Sequence, residues 1–345
     1  MKEPMRSEQG YSASRRGALK TLASCAAASL PSLSYAQARK RGRIDVHHHM
    51  IPPLLDAWAA RHWSPEVSLE AMDKYGTETA MLSATGLPPA FADLFYDGSK
   101  RARGLVRKVN EYGAKVMSDR PQRFGFFAAL PLPGADATLK EIEYAFDTLK
   151  ADGVAVFSNT GSKWLGDPAF FPIFQELNRR KAVVFIHPSV PNCCRNLVSG
   201  IPDTVLEFDF DTTRAVTSLL YNGVLGRMPD IRFIVNHSGA AVPVMSGRIR
   251  DEVRGNDGIA IPNGQTGAWD QMRKLYFEVA HAAYPTPLAA LMKFAPAAQF
   301  LFGTDFPVWP YSTTTDQLPN TKLSAQVKHA LDRGNAEHLF PRLKA

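Results

Sequence analysis

From residue 43 onward the chain repeats one pattern. A short, almost continuously apolar run is followed by a longer stretch in which apolar residues recur every three or four positions. The apolar runs are RIDVHHH (43–49), TETAMLSAT (77–85), RFGFFAALP (123–131), GVAVFSN (153–159), AVVFIHP (182–188), IRFIVNH (231–237), LYFEVAH (275–281) and QFLFGTD (299–305). Runs of this kind, apolar at successive positions, predict strands buried on both faces, as in a parallel sheet covered by helices. Between them, ADATLKEIEYAFDTLKAD (135–152) sets Leu139, Ile142, Phe146 and Leu149 on one helical face, and DPAFFPIFQELNRRK (167–181) predicts another helix. Eight such strands alternating with helices predict an α/β fold, a closed parallel (β/α)8 barrel of the TIM type, ahead of a doubly wound open sheet. No internal repeat or low-complexity region interrupts residues 37–345, which read as a single domain behind a basic hinge at 37–43.

In such a barrel the C-terminal strand ends surround one mouth, where the chemistry sits. The predicted ends carry His47, His48 and His49 in the first run, His187 in the fifth, His237 in the sixth and Asp305 in the eighth. Side chains alternate along a strand, so His47 and His49 share a face and His48 points the other way. Singly, a buried histidine is an ordinary satisfied core residue, and an aspartate before Phe-Pro is an ordinary turn. Jointly, imidazoles and a carboxylate around one mouth offer a divalent metal the nitrogen and oxygen donors it favours. His47 and His49 then read as ligands and His48 as structural. Zinc suits so histidine-rich a set, with manganese as the alternative.

Composition changes this picture mainly at the N-terminus. The 345 residues, 45% hydrophobic and 21% charged, are ordinary for a soluble globular protein. Residues 1–36 are different: SRRGALK (14–20) sets an arginine pair before the apolar TLASCAAASLPSL, and SYA puts Ser34 and Ala36 where a signal peptidase needs small residues. This predicts a twin-arginine-type signal segment and an exported, periplasmic protein, although Ala18 stands where phenylalanine is usual. LASC around Cys25 follows Lys20 too soon for a lipoprotein signal, and the apolar run is about half of what a membrane span needs. Of the formal charge of +7, five basic against two acidic residues place +3 in this segment and leave +4 for the rest. With no basic stripe interleaved with aromatics, no nucleic-acid partner is expected; a small anionic substrate suits the balance. Cys193 and Cys194 are adjacent and outside any C-x-x-C spacing, so they read as a packed pair in a loop.

The stretches IDVHHH, WSPEVSLEAMDKYG, RPQRFGFFAALPLP, KWLGDPAFFPIFQELNRRKAVVFIHPS, IRFIVNHSGAAVPVMSGRI, LFGTDFP and RGNAEHLFPRL span nearly everything from residue 43 onward. Together they resemble the amidohydrolase superfamily, and within it the decarboxylase branch around aminocarboxymuconate-semialdehyde and 6-methylsalicylate decarboxylases. KWLGDPAF and CCRNL lean toward the 6-methylsalicylate side. The resemblance implies one metal ion held by His47, His49, His187 and Asp305, with His237 beside it as an acid/base or water-positioning group. VFSNTG carries no lysine that could bridge two metals, and Lys163 a few residues on reads as a solvated loop charge. Arg248, eleven residues after His237, matches an arginine that in the family reaches a substrate carboxylate from the neighbouring subunit, which implies a homodimer. A second family arginine has no counterpart, since Arg61 lies too close to Trp63, and this argues against the muconate substrate. Glu278 stands where relatives carry aspartate, either orienting a ligand or facing the helices.

The activity so implied is metal-dependent, non-hydrolytic decarboxylation of a small aromatic or unsaturated acid, with Asp305 or His237 delivering a proton. A competing use of the same residues is hydrolysis of a lactone, ester or amide, in which Asp305 deprotonates a water; the residues alone do not separate the two. A non-catalytic binder is disfavoured, because it has no need of an acid and an extra histidine beside an open metal position. Phe126, Phe127, Phe157, Trp164 and Trp309, near strand ends, would suit a flat ring or simply pack.

Overall fold

A computed structural model describes residues 42–58, 63–86, 95, 97–161, 163–253 and 264–344. The predicted signal segment 1–36, the hinge up to residue 41 and Arg61 lie outside the described residues.

Every predicted run supplies a strand: β1 (Arg43–His49), β2 (Thr77–Ser83), β3 (Phe124–Ala129), β4 (Gly153–Phe157), β5 (Val183–His187), β6 (Arg232–Val235), β7 (Tyr276–Glu278) and β8 (Phe300–Leu301). They pair in chain order, always parallel. The ring closes between β1 and the segment following β8. Val46 N–H donates to Phe302 O at 2.9 Å, Asp305 N–H to His47 O at 2.8 Å and His49 N–H to Phe306 O at 2.7 Å. The sheet is therefore the barrel that the pattern predicts.

Except for β1, the strands stop short of the apolar runs, most of all at β7 and β8. Beyond β6, β7 and β8 the backbone leaves the extended conformation: His237, His281 and Asp305 have φ of 52°, 55° and 63°, left-handed values that end a ladder.

The helices around the barrel are α1 (Pro65–Tyr75), α2 (Lys100–Asp119), α3 (Ala135–Glu143), α4 (Phe171–Arg179), α5 (Asp203–Tyr221), α6 (Val242–Asp251), α7 (Gly264–Arg273) and α8 (Pro285–Phe294). α1 shows why such segments are helical. The Ser64 hydroxyl accepts from Val67 N–H, Pro65 fits the first turn, and Gly76 closes the helix at φ 71°. The helix expected over 135–152 runs as α3 and then one π turn, Tyr144–Thr148, before Lys150 breaks it at φ 57°. The one expected over 167–181 starts as a 3-10 turn, Pro168–Phe170, capped by Asp167.

The core has two layers. Inside the barrel Ile44, Val46, Met81, Phe127, Phe185, Ile234 and Leu301 pack together, and Leu339, Phe340 and Leu343 of the C-terminal segment join them. A larger layer between strands and helices holds Phe124, Phe126, Phe174, Phe233 and Phe300 among many others. The C-terminal segment packs against the interior core, which leaves chemistry to the opposite end. Among the described residues no helix is long and apolar enough to cross a membrane.

Candidate metal centre

The four residues expected to hold an ion meet. One potential ligand atom from each of His47, His49, His187 and Asp305 falls within 4.8 Å of all the others. They come from the ends of β1 and β5 and from the turn after β8, and none is more than 5% exposed. Asp305 Oδ1 lies 2.7 Å from His49 Nε2 and 3.4 Å from His47 Nε2, and these two nitrogens are 3.1 Å apart.

The outer nitrogens explain why the inner ones converge. His47 Nδ1 meets Glu278 Oε1 at 2.8 Å, and His187 Nδ1 meets Pro188 O at 2.8 Å. Both oxygens can only accept, so each ring carries a proton at Nδ1 and turns its Nε2 inward. Ser83 Oγ faces His49 Nδ1 at 3.1 Å. Three imidazoles oriented in this way, together with a carboxylate, match the donor chemistry of a divalent ion.

Charge follows the same geometry. Burial alone would lower His47, but the carboxylates of Glu278 and Asp305 outweigh it and raise the ring to about 10. Burial lowers His49, and it holds His187 well below its ordinary value with help from the neighbouring rings. Burial works against ionised Asp305, yet His47 and the hydrogen bonds from His281, His47 and His49 hold it well below the usual carboxylate range. Glu278 is also lowered, burial being outweighed by His47.

The structure places Glu278 against His47 rather than toward the helices. It is fully buried, accepts from His47 Nδ1–H through Oε1, and accepts from the backbone N–H of His237 at 2.8 Å and of Ala280 at 2.6 Å. Gly303 is what admits it, because a Cβ there would lie 2.1 Å from Glu278 Oε2. His48 points away, as alternation predicts, with Nδ1 3.1 Å from Asp45 Oδ2 and Nε2 2.8 Å from Ser68 Oγ. Asp45 also accepts from the Thr304 hydroxyl at 2.6 Å and from Thr304 N–H at 3.1 Å, which ties β1 to the turn carrying Asp305.

Two further histidines line the site. His237 is 8% exposed; its ring stacks near that of His47, its Nδ1 is 3.4 Å from Asp209 Oδ1, and its Nε2 is buried without a partner among the described residues. His281, absent from the expected set, places Nε2 2.9 Å from Asp305 Oδ2. The other expected residues are divided between the surface, the core and the rim of the site. Arg248 is exposed on α6. Lys163 is a surface charge paired with Asp167 at 3.0 Å. Phe126 and Phe127 belong to the core, and Trp164 donates to Asp211 at 2.7 Å. Phe157 packs edge-on to His187, and Trp309, half exposed, to His281. Cys193 is exposed, Cys194 buried, and both are free thiols.

The family model described as Amidohydrolase matches residues 44–342, the whole barrel. The chain belongs to the amidohydrolase family. Among its relatives in that family, the decarboxylase yanB of Aspergillus niger is 34% identical, the match covering 88% of each chain. The 6-methylsalicylic acid decarboxylase of Penicillium expansum is also 34% identical, over 88% of this chain and 97% of its own. The barrel also superposes, with a TM-score of 0.74 and 22% identity, on a dihydroxybenzoic acid decarboxylase from Polaromonas solved with bound manganese and the inhibitor 2-nitroresorcinol. That match covers 88% of this chain and 98% of the other. Within the amidohydrolase family the chain is thus a decarboxylase, and the hydrolytic alternative gives way.

Proposed function

We propose that the protein is a metal-dependent decarboxylase of a small ortho-hydroxy aromatic acid, 6-methylsalicylate being the first candidate. The observation that carries this reading is the set of inward Nε2 atoms of His47, His49 and His187 around Asp305, with the unpartnered Nε2 of His237 beside them. The substrate class is supported by the relative named for 6-methylsalicylic acid. Zinc is the ion we favour for so histidine-rich a set, and manganese is the alternative.

The ion, when bound, supplies positive charge that stabilises the carboxylate and the neighbouring phenolate oxygen of such a substrate. The chain supplies the proton. The bond from ring to carboxyl carbon can break only if its electron pair has somewhere to go, so the ring carbon first gains a proton and becomes an electron sink. A new C–H bond forms, the C–C pair returns to the ring, and carbon dioxide leaves. We assign that proton to the pair His237 and Asp305. Nε2 of His237 is engaged by no hydrogen bond among the described residues and is free to carry a proton to the ring carbon, and positioned transfer of this kind is worth about 10²–10⁴-fold.

Two further proposals concern the whole protein. Val244 is 76% exposed one turn before Arg248 on α6, and Met245 beside it is also exposed. This apolar face around Arg248, which makes no ion pair among the described residues, supports a homodimer in which Arg248 reaches the substrate carboxylate of the other subunit. The arginine pair at 15–16 supports export: a reporter fused to residues 1–42 should reach the periplasm, and Arg15→Lys with Arg16→Lys should leave it in the cytoplasm.

The deciding experiment is carbon dioxide release from a panel of ortho-hydroxybenzoates, alongside lactones and aryl esters, with protein of known metal content. Release that stops on metal removal and returns with zinc or manganese supports the proposal. Turnover of an ester or lactone with no carbon dioxide from any acid would overturn it.

A further inference from the structure

Resting on that metal-dependent reading, we infer that the barrel mouth holds a second divalent-cation position, built from His237, His281 and Asp305, and that filling it inhibits the enzyme. One potential ligand atom from each of the three lies within 4.8 Å of the others. The two positions share Asp305 but not the same oxygen. Oδ1 faces His49 at 2.7 Å, whereas Oδ2 faces His281 Nε2 at 2.9 Å, so the carboxylate has one oxygen for each side.

His237 is the independent observation. Its side chain is 8% exposed and its Nε2 has no hydrogen-bond partner among the described residues. A buried ring nitrogen left unpaired is costly, so the pocket is shaped for something that meets it. The His281 ring lies 5.1 Å from that of His237. It remains a quarter exposed, which gives a solvated ion a way in. Two imidazoles and one carboxylate with open positions form a set that zinc accepts. The neighbouring group of His47, His237 and Glu278 is a poorer candidate, because Glu278 is already engaged by two backbone N–H groups and by His47. Occupation of the second position would take up His237, the group assigned to move the proton, and Oδ2 of Asp305. The first ion activates; the second inhibits.

The same hydrogen bond from His281 to Asp305 could serve only to orient the carboxylate, and His281→Gln separates the two roles. A glutamine amide can still donate to Asp305 Oδ2 but is a weak zinc ligand. The measurement is equilibrium dialysis of metal-stripped full-length protein against Zn²⁺ alone, with bound zinc determined by elemental analysis and carbon dioxide release assayed at each loading. We expect two equivalents in the wild type and one in His281→Gln. Wild-type turnover should fall by about 10²-fold between one bound equivalent and two, the loss of a positioned proton carrier. His281→Gln, referred to its own rate at one equivalent, should show no such fall. One equivalent at saturation in the wild type, or two in His281→Gln, overturns the second position while leaving the first intact. A wild type that binds no zinc would instead sink the metal-dependent reading itself.

Discussion

Glu278 and His237 divide the labour at the level of single residues. Glu278 fixes the His47 tautomer and also holds a proton on that ring, raised to about 10 in the absence of metal. An incoming ion must displace that proton. Zinc affinity measured against a competing chelator should therefore rise by about tenfold per pH unit from near 6.5 toward 10. In Glu278→Gln the orienting acceptor is weakened, so affinity at pH 9 should drop about 10–100-fold. The gap should narrow toward pH 6.5, where the wild type has the proton to expel and the variant has less of one. A variant with unchanged affinity and unchanged slope would show that Glu278 is only a buried anchor for His237 and Ala280 N–H. For His237→Asn the expectation is the reverse. Bound zinc should remain at the first position while carbon dioxide release falls about 10²–10⁴-fold, and near-normal turnover would move the proton to Asp305 alone.

At the scale of elements, the informative places are where strands stop. His237, Ser238, Ala240, His281 and Asp305 all have positive φ, and all lie just beyond β6, β7 or β8. Such backbone costs about 1–3 kcal/mol per non-glycine residue and persists only where the surroundings impose it. Ala240, at φ 54° and ψ −123°, makes no ligand contact, so Ala240→Gly should relieve strain and stabilise the fold by about 1 kcal/mol. The check is the urea midpoint together with zinc content, and a lower midpoint would mean that the turn is not strained. These turns also explain what was legible beforehand. The strands were, because burial on both faces writes apolar residues at successive positions, and so was the meeting of His47, His49 and His187, which lie on β1 and β5 themselves. His281 was not. It is three residues after Glu278, and a continued strand would send the two to opposite faces. The turn at His281, with φ 55°, brings it back to Asp305. Glu278 stayed ambiguous for a related reason: in a strand buried on both sides, burial does not say which face a side chain takes.

For the whole molecule, the site is a charged cluster at the seam of the barrel, so metal and pH should act on stability together. In the metal-free protein His49 and His187 are held below 6.5 by burial, so the unfolded chain binds more protons as pH falls through 6.5 and stability drops. Asp305 and Glu278, both lowered, extend the loss further into acid as the unfolded carboxylates become protonated. His47 acts with the opposite sign. Its folded value of about 10 lies above 6.5, so its contribution is complete below 6.5 and disappears as pH rises toward 10. The metal-free barrel should therefore be most stable near pH 6.5 and weaken on both sides. With zinc bound, His47 is already deprotonated in the folded state, so the alkaline decline should vanish while the acid one persists and steepens as protons compete with the ion. The ion also joins β1, β5 and the turn after β8, and it adds stability as RT ln(1 + [Zn]/Kd), about 4 kcal/mol at a thousandfold excess over Kd. Urea denaturation of chelator-treated and zinc-loaded protein from pH 5 to 9.5 measures both limbs. An alkaline decline of equal size with and without zinc would place the responsible proton away from His47, and with it would go the account of how the carboxylates of β7 and the β8 turn ready this site for a cation.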